Sequence, residues 1–284
     1  MPNAKENNED GWERLLIVGP TGSGKTSQIW NLPGRKFVYI FDPNTMQTIK
    51  GCDVEYKQYF PDFLELDATL KGFNKGAKSD TMRGTKREPT VYLDWVDDIN
   101  EKVDNGFFDD YDWIIFDSLT FLSKATMDRQ LYINGRYGDV EDLADYRVVG
   151  SKISDVFGSI TTLPINIYCT GHLQTFQDDK TKKITTNLWL PGKARSILPL
   201  IFTDVWMAFT EEDAEGKVRY YVRTRPEERG LKDIRCSIKS LVPEEEVTLD
   251  FEHPEKGGVA ALLAQRQLPV ASKKGRKDDA IHQS

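Results

Sequence analysis

Short apolar runs, each cut off by a charge, a glycine or a proline, set the rhythm of this chain. Leu15–Val18, Phe37–Phe41, Trp113–Phe116 and Ile165–Cys169 are such runs. Their length and boundaries predict buried strands. Between them the spacing changes to that of helices. After Pro89, the residues Leu93, Val96, Ile99 and Val103 recur three or four apart, which predicts a helix that Gly106 ends. A helix is expected from about Thr120, interrupted by a loop at Asn134–Gly138. Another is expected from about Val140, with Leu143, Tyr146, Val149, Ile153, Val156 and Ile160 on its inner side. Pro164 resets the chain before the fourth strand. Strands alternating with helices predict an α/β fold, a mainly parallel sheet flanked by helices.

Past His172 the pattern changes. Residues 173–193 read as a polar loop with one aromatic stretch, Asn187–Leu190. Asp204–Thr210 and Val218–Thr224 predict two strands joined by an acidic turn, a C-terminal antiparallel hairpin. A short helical piece follows at Val259–Arg266. Residues 1–12 read as a polar N-terminal tail, 13–253 as one domain, and 254–284 as a C-terminal tail, partly disordered, that ends with the basic cluster Ser272–Lys277. Residues 45–70 give no clear pattern. Residues 71–88 carry six Lys/Arg against two acids and three glycines, and read as a mobile basic loop. A solvated insertion and a nucleic-acid contact both fit that loop.

Composition narrows the classes. The chain has 284 residues, 39% hydrophobic and 29% charged, as ordinary globular domains do. No apolar run approaches the roughly 20 residues that span a bilayer. The polar N-terminus has no apolar leader, so a cytoplasmic location and no membrane partner are expected. The three cysteines, Cys52, Cys169 and Cys236, are far apart and suit neither a disulfide framework nor a metal cluster. A net charge of −7 excludes a broadly basic nucleic-acid coat but leaves room for a local basic groove.

The sharpest signal follows the first strand. Gly19, Pro20, Thr21, Gly22, Ser23, Gly24, Lys25 and Thr26 form G-x-x-x-x-G-K-T, between a strand and a segment, Thr26–Trp30, expected to continue as a helix. The glycines let backbone N–H groups approach an anion. The helix end adds unpaired donors. Lys25 can reach the outer phosphates, and the Thr26 hydroxyl can bind Mg2+. ATP with Mg2+ is the expected cofactor pair. A second magnesium group is expected where a buried strand ends in an acid. Asp117 fits, with capping of the next helix as the plain alternative. His172 sits where the fourth strand would end, at the carboxyl edge where open α/β sheets bind ligands. There it can sense a γ-phosphate, or serve structure alone.

Taken in order, these elements resemble the RecA-like ATPases, above all the short bacteriophage members that act as recombinases or single-strand annealing proteins. The resemblance covers roughly residues 13–235. It rests on Gly19–Thr26, on WIIFDS at 113–118, on INIYCTGH at 165–172 and on VRTR at 222–225. It implies a RecA-like P-loop core and DNA-dependent ATP hydrolysis. It also implies a homo-oligomer, filament or ring, in which Arg223 and Arg225 reach the neighbour's γ-phosphate. The plain alternatives for that pair are solvent, or Glu227 and Glu228. Two loops would face single-stranded DNA. One offers Arg136 and Tyr137. The other, 174–194, offers Phe176, Lys180, Lys182, Lys183, Trp189 and Lys193, with Arg195 just beyond. Cations suit the backbone and aromatics suit the bases; local packing of Phe176 and Trp189 with solvated lysines is the plain alternative. A single-strand binding protein is a further expected partner. One departure stands out. The family's water-activating glutamate follows the second strand, and here Asn44 holds its place. An amide cannot act as a base, so Asp42 or another acid, Glu65 or Asp67 among them, substitutes, or turnover is slow.

Other P-loop machines compete with this reading. A helicase usually carries a separate N-terminal domain, and a packaging motor needs a nuclease domain; neither is expected here. A small-molecule kinase needs an acceptor pocket and a lid, for which the sequence gives no sign.

Overall fold

A computed structural model describes residues 11–60, 88–177, 184–227, 231–253 and 257–267. The basic loop expected at 71–88 falls outside the described residues apart from its last position. So do Glu65, Asp67, Lys180, Lys182, Lys183, Glu228 and the basic cluster near the end.

The core is a twisted sheet built from the expected apolar runs. Strands β1 (Arg14–Gly19), β2 (Lys36–Ile40) and β4 (Trp113–Asp117) are buried along their whole length. β5 (Asn166–Gln177) is buried through its first half. β3 (Glu55–Gln58) and β7 (Asp204–Glu212) complete the parallel part, and β8 (Val218–Arg223) and β9 (Glu244–Glu246) extend it. The strand order is β3-β2-β4-β5-β1-β7-β8-β9. Pairs from β3 to β7 are parallel, whereas β7–β8 and β8–β9 are antiparallel. Continuous Leu, Ile, Val and aromatic content is what strands covered on both faces require. After the one-turn helix α1 (Thr45–Thr48), helices α2 (Val91–Asp104), α3 (Leu119–Ile133) and α4 (Leu143–Ile160) belong to one apolar layer with Trp95, Phe116 and Phe157. The other face packs on Ile29, Trp206, Val247 and the short helix α6 (Gly258–Ala264).

Three expectations change. The segment after the phosphate loop is not a full helix but a six-residue 3-10 turn, Thr26–Asn31, so a helix macrodipole contributes little at its start. The 173–193 stretch is not a loop throughout. β5 continues to Gln177 and pairs antiparallel with β6 (Ile184–Leu188), Leu173 opposite Leu188. Its residues are mostly polar because this ribbon projects beyond the core, so no apolar alternation marks it. The helix faces are also re-phased. α2 buries Trp95, Asp98 and Ile99 while Val103 is exposed, and in α4 Leu143 is 78% exposed. The first turn of α4 is set instead by a capping box, with Asp142 accepting from Ala144 and Asp145 backbone N–H groups.

The short C-terminal helical piece is part of the packed unit. Val259, Leu262 and Leu263 are buried. Arg266 ion-pairs with Glu13 at 2.7 Å and with the fully buried Asp204 at 2.6 Å.

Candidate nucleotide site

Parallel register brings four strand ends to one edge. Gly19 pairs with His172, and Ile40 with Asp117. The phosphate loop, Asp42, Asp117 and His172 therefore share the carboxyl edge of the sheet, where such folds bind ligands.

Local chemistry shapes the loop. Gly22 and Gly24 both adopt φ of +81°, open to glycine at little cost. A Cβ on Gly19 would lie 2.5 Å from the Ala208 carbonyl oxygen, so only glycine allows β7 to pass so close. Ser23 Oγ donates to the Pro20 carbonyl at 2.8 Å and tightens the turn. Pro20, Thr21 and Gly22 form its exposed tip. Lys25 is buried, and its Nζ donates to the carbonyls of Gly19 (2.9 Å) and Pro20 (2.7 Å). Burial lowers its pKa to about 8, against the pull of Asp117 and Asp42. The ammonium is thus held under the loop, desolvated and in need of an anion. Tyr168 donates its hydroxyl to the Lys25 carbonyl at 2.6 Å and pins the exit of the loop.

Asp117 stands opposite Thr26, whose Oγ1 lies 3.2 and 3.1 Å from the two carboxylate oxygens. Thr45 and Thr170 also donate their hydroxyls to it. Burial pushes the Asp117 pKa up; the hydroxyls of Thr170, Thr45 and Thr26 oppose that, and Asp42 adds to it. The Asp117–Ser118 peptide is cis. Ser118 Oγ is buried without a partner among the described residues. A hydroxyl and a carboxylate facing each other are the hard oxygen donors that magnesium takes, its other positions going to water and phosphate. The described residues hold no cluster of three or more acids, histidines or cysteines for a metal.

Asp42 lies at the end of β2. Its Oδ2 is 3.6 Å from His172 Nε2, and its Oδ1 accepts from the Asn44 backbone N–H at 2.9 Å. Burial raises its pKa, but contacts from His172 and Asn44 outweigh burial and leave it lowered. Asp42 is thus an ionised carboxylate at the site's edge, while Asn44 is exposed and spent on a turn.

The remaining expected residues divide. Phe176 (43%) and Trp189 (53%) are exposed on the β5–β6 ribbon, and Lys193 is exposed beside it, at the start of α5 (Ala194–Ile201). Arg195 donates one bond to the Gly192 carbonyl. Arg136 is committed elsewhere. It bonds Asp142, Asp145 and the Val140 carbonyl, and so stitches the loop to the start of α4. Tyr137 packs edge-on against Tyr132. The arginine pair does not share one strand face. Arg223 ends β8 and pairs with Glu227 (2.6 Å) and Glu244 (2.5 Å). Arg225, past the strand, turns onto the carbonyls of Thr224 and Ile238. Sequence reasoning missed Thr170, inside β5, and Thr45, at the start of the short helix after β2; neither position carries a local signal of its own. It also missed Tyr220, whose ring covers Gly24.

A mainly parallel sheet with a glycine-rich loop, a buried lysine and a strand-end aspartate defines a P-loop NTPase. The family model of the AAA domain matches residues 13–232, and the chain belongs to that family. No curated protein matches the chain. No helix among the described residues is long and apolar enough to cross a membrane.

Proposed function

We propose that the protein is a Mg2+-dependent ATPase that works on single-stranded DNA, a RecA-like enzyme of the kind bacteriophages use for recombination or strand annealing. The alignment of Lys25, Thr26 and Asp117 across the loop carries the nucleotide half of this reading. Lys25 would neutralise the outer phosphates, and Thr26 and Asp117 would hold the magnesium. That ion supplies charge neutralisation on the transferring phosphoryl group. Asp42, ionised and steadied by His172, is the base best placed to orient a water.

The DNA half rests on the ribbon. Two exposed aromatics, with Lys193 and Arg195 nearby, project beside the loop, which suits base stacking and backbone contact. Arg223 favours assembly with further copies, because its two carboxylate partners are exposed and exchangeable. A nucleotide-dependent switch with slow hydrolysis is the second reading, favoured by Asn44 at the place of the expected base. ATP hydrolysis measured with and without single-stranded DNA, with Lys25→Ala as the dead control, separates the two. Stimulation by DNA supports the first reading; ATP binding with slow turnover indifferent to DNA supports the second.

A further inference from the structure

A cavity of about 640 Å³ opens next to the phosphate loop, with Thr21 at its edge. That size suits a small organic group. Its walls come from α3, the start of α4 and the β5–β6 ribbon. Phe121, Tyr146, Phe176 and Trp189 all line it, so rings stand on three elements around one space. Two acids face it. Burial and then the charge of the neighbouring Glu141 push the Tyr146 hydroxyl's pKa up, so Glu141 already faces a donor. Asp128 makes no hydrogen bond to any described residue; Lys124 and Glu141 act on it only through charge, and burial pushes its pKa up to about 6. An acid with oxygens free of protein hydrogen bonds, set among aromatic rings in one cavity, suits a flat ligand that donates hydrogen bonds.

We propose that this cavity receives one unstacked base of a single strand, and that Asp128 reads it by accepting from its amino edge. The inference rests on the DNA reading above and adds to it a base preference. Guanine fits best, because its neighbouring N1–H and N2–H groups match the two oxygens of a carboxylate. Cytosine and adenine offer one amino group each. Thymine sets its single N–H between two carbonyl oxygens, which face the carboxylate with like charge. The rings supply stacking that every base accepts, so discrimination falls to Asp128. Arg195, at the cavity wall, and Lys193 beside it are left for the flanking phosphates.

The test uses the full chain with ATP and a short labelled oligothymidine, in versions with and without one central guanine. Anisotropy titration is expected to show roughly tenfold tighter binding of the guanine strand, the size of one good side-chain–base pairing. Asp128→Asn is expected to abolish that ratio while keeping affinity for the all-thymine strand. Equal wild-type affinity for both strands overturns the base pocket and leaves the DNA reading standing. Failure to bind either strand removes the DNA reading, and the pocket with it. An Asp128→Asn protein that loses affinity for both strands alike marks a structural role and also overturns the proposal. If that variant does not fold, the wild-type ratio alone decides.

Discussion

His172 Nε2 lies 3.6 Å from Asp42 Oδ2, and the contact joins β5 to β2 across the end of the intervening β4. It places an ionised carboxylate within electrostatic reach of both Asp117 and Lys25. Asp42→Asn is therefore expected to cut turnover by about a hundredfold, the usual worth of a positioned base, with ATP affinity little changed. Unchanged turnover in a steady-state phosphate-release assay would assign water activation to another group.

Asp117→Asn is expected to remove magnesium-dependent hydrolysis by at least ~100-fold. Its melting temperature should not fall. Burial disfavours the charged carboxylate, so the neutral amide relieves that cost while three threonine hydroxyls remain as partners. A large drop in thermal stability would show that the carboxylate mainly holds strands together.

The two arginines should separate. Arg225→Ala strips hydrogen bonds from buried backbone carbonyls and is expected to cost about 1–3 kcal/mol in denaturant unfolding. Arg223→Ala removes half-exposed ion pairs and should cost well under that. If Arg223 serves a neighbour's nucleotide, mixing Arg223→Ala with Lys25→Ala restores some hydrolysis. A co-assembled but inactive mixture refutes that role.

Trp189→Ala and Lys193→Ala should each weaken single-strand binding. Only the lysine change should flatten its salt dependence, by about one unit of the log–log slope, since only it removes a phosphate contact. Identical slopes would move the phosphate contact off Lys193.

Asp128 sets a pH dependence. Its pKa rises from 3.8 to about 6 on folding, so the folded state binds the proton more tightly. That contribution is complete below pH 3.8 and is lost as pH rises through about 6. Wild type should thus lose stability across that window relative to Asp128→Asn. Parallel curves in urea titrations would place Asp128 in ordinary solvent.

The four central strands and the phosphate loop were legible because both depend on local composition: unbroken apolar runs, and glycines at fixed offsets. The β5–β6 ribbon was not, since Gln174, Thr175, Thr185 and Thr186 carry no apolar alternation. The partners of Arg136 and Arg225 were not legible for a different reason. An arginine's destination is decided by carbonyls and carboxylates that the fold brings near, as Asp145 and Ile238 are here. The helix after the loop was overestimated because propensity says nothing of how tightly Gln28 and Asn31 are held by distant backbone.

That last hold has a mechanical meaning. Gln28 sits in the turn that directly follows Lys25 and Thr26. Its amide nitrogen donates to Val247, and its amide oxygen accepts from the Val259 backbone N–H. Asn31, one turn on, donates to Gly257. The turn leaving the nucleotide loop is thus a crossbar bolted at both ends to the C-terminal segment. These amides tie the turn leaving the loop to α6, which runs on to Arg266 and its ion pairs with Glu13 and Asp204.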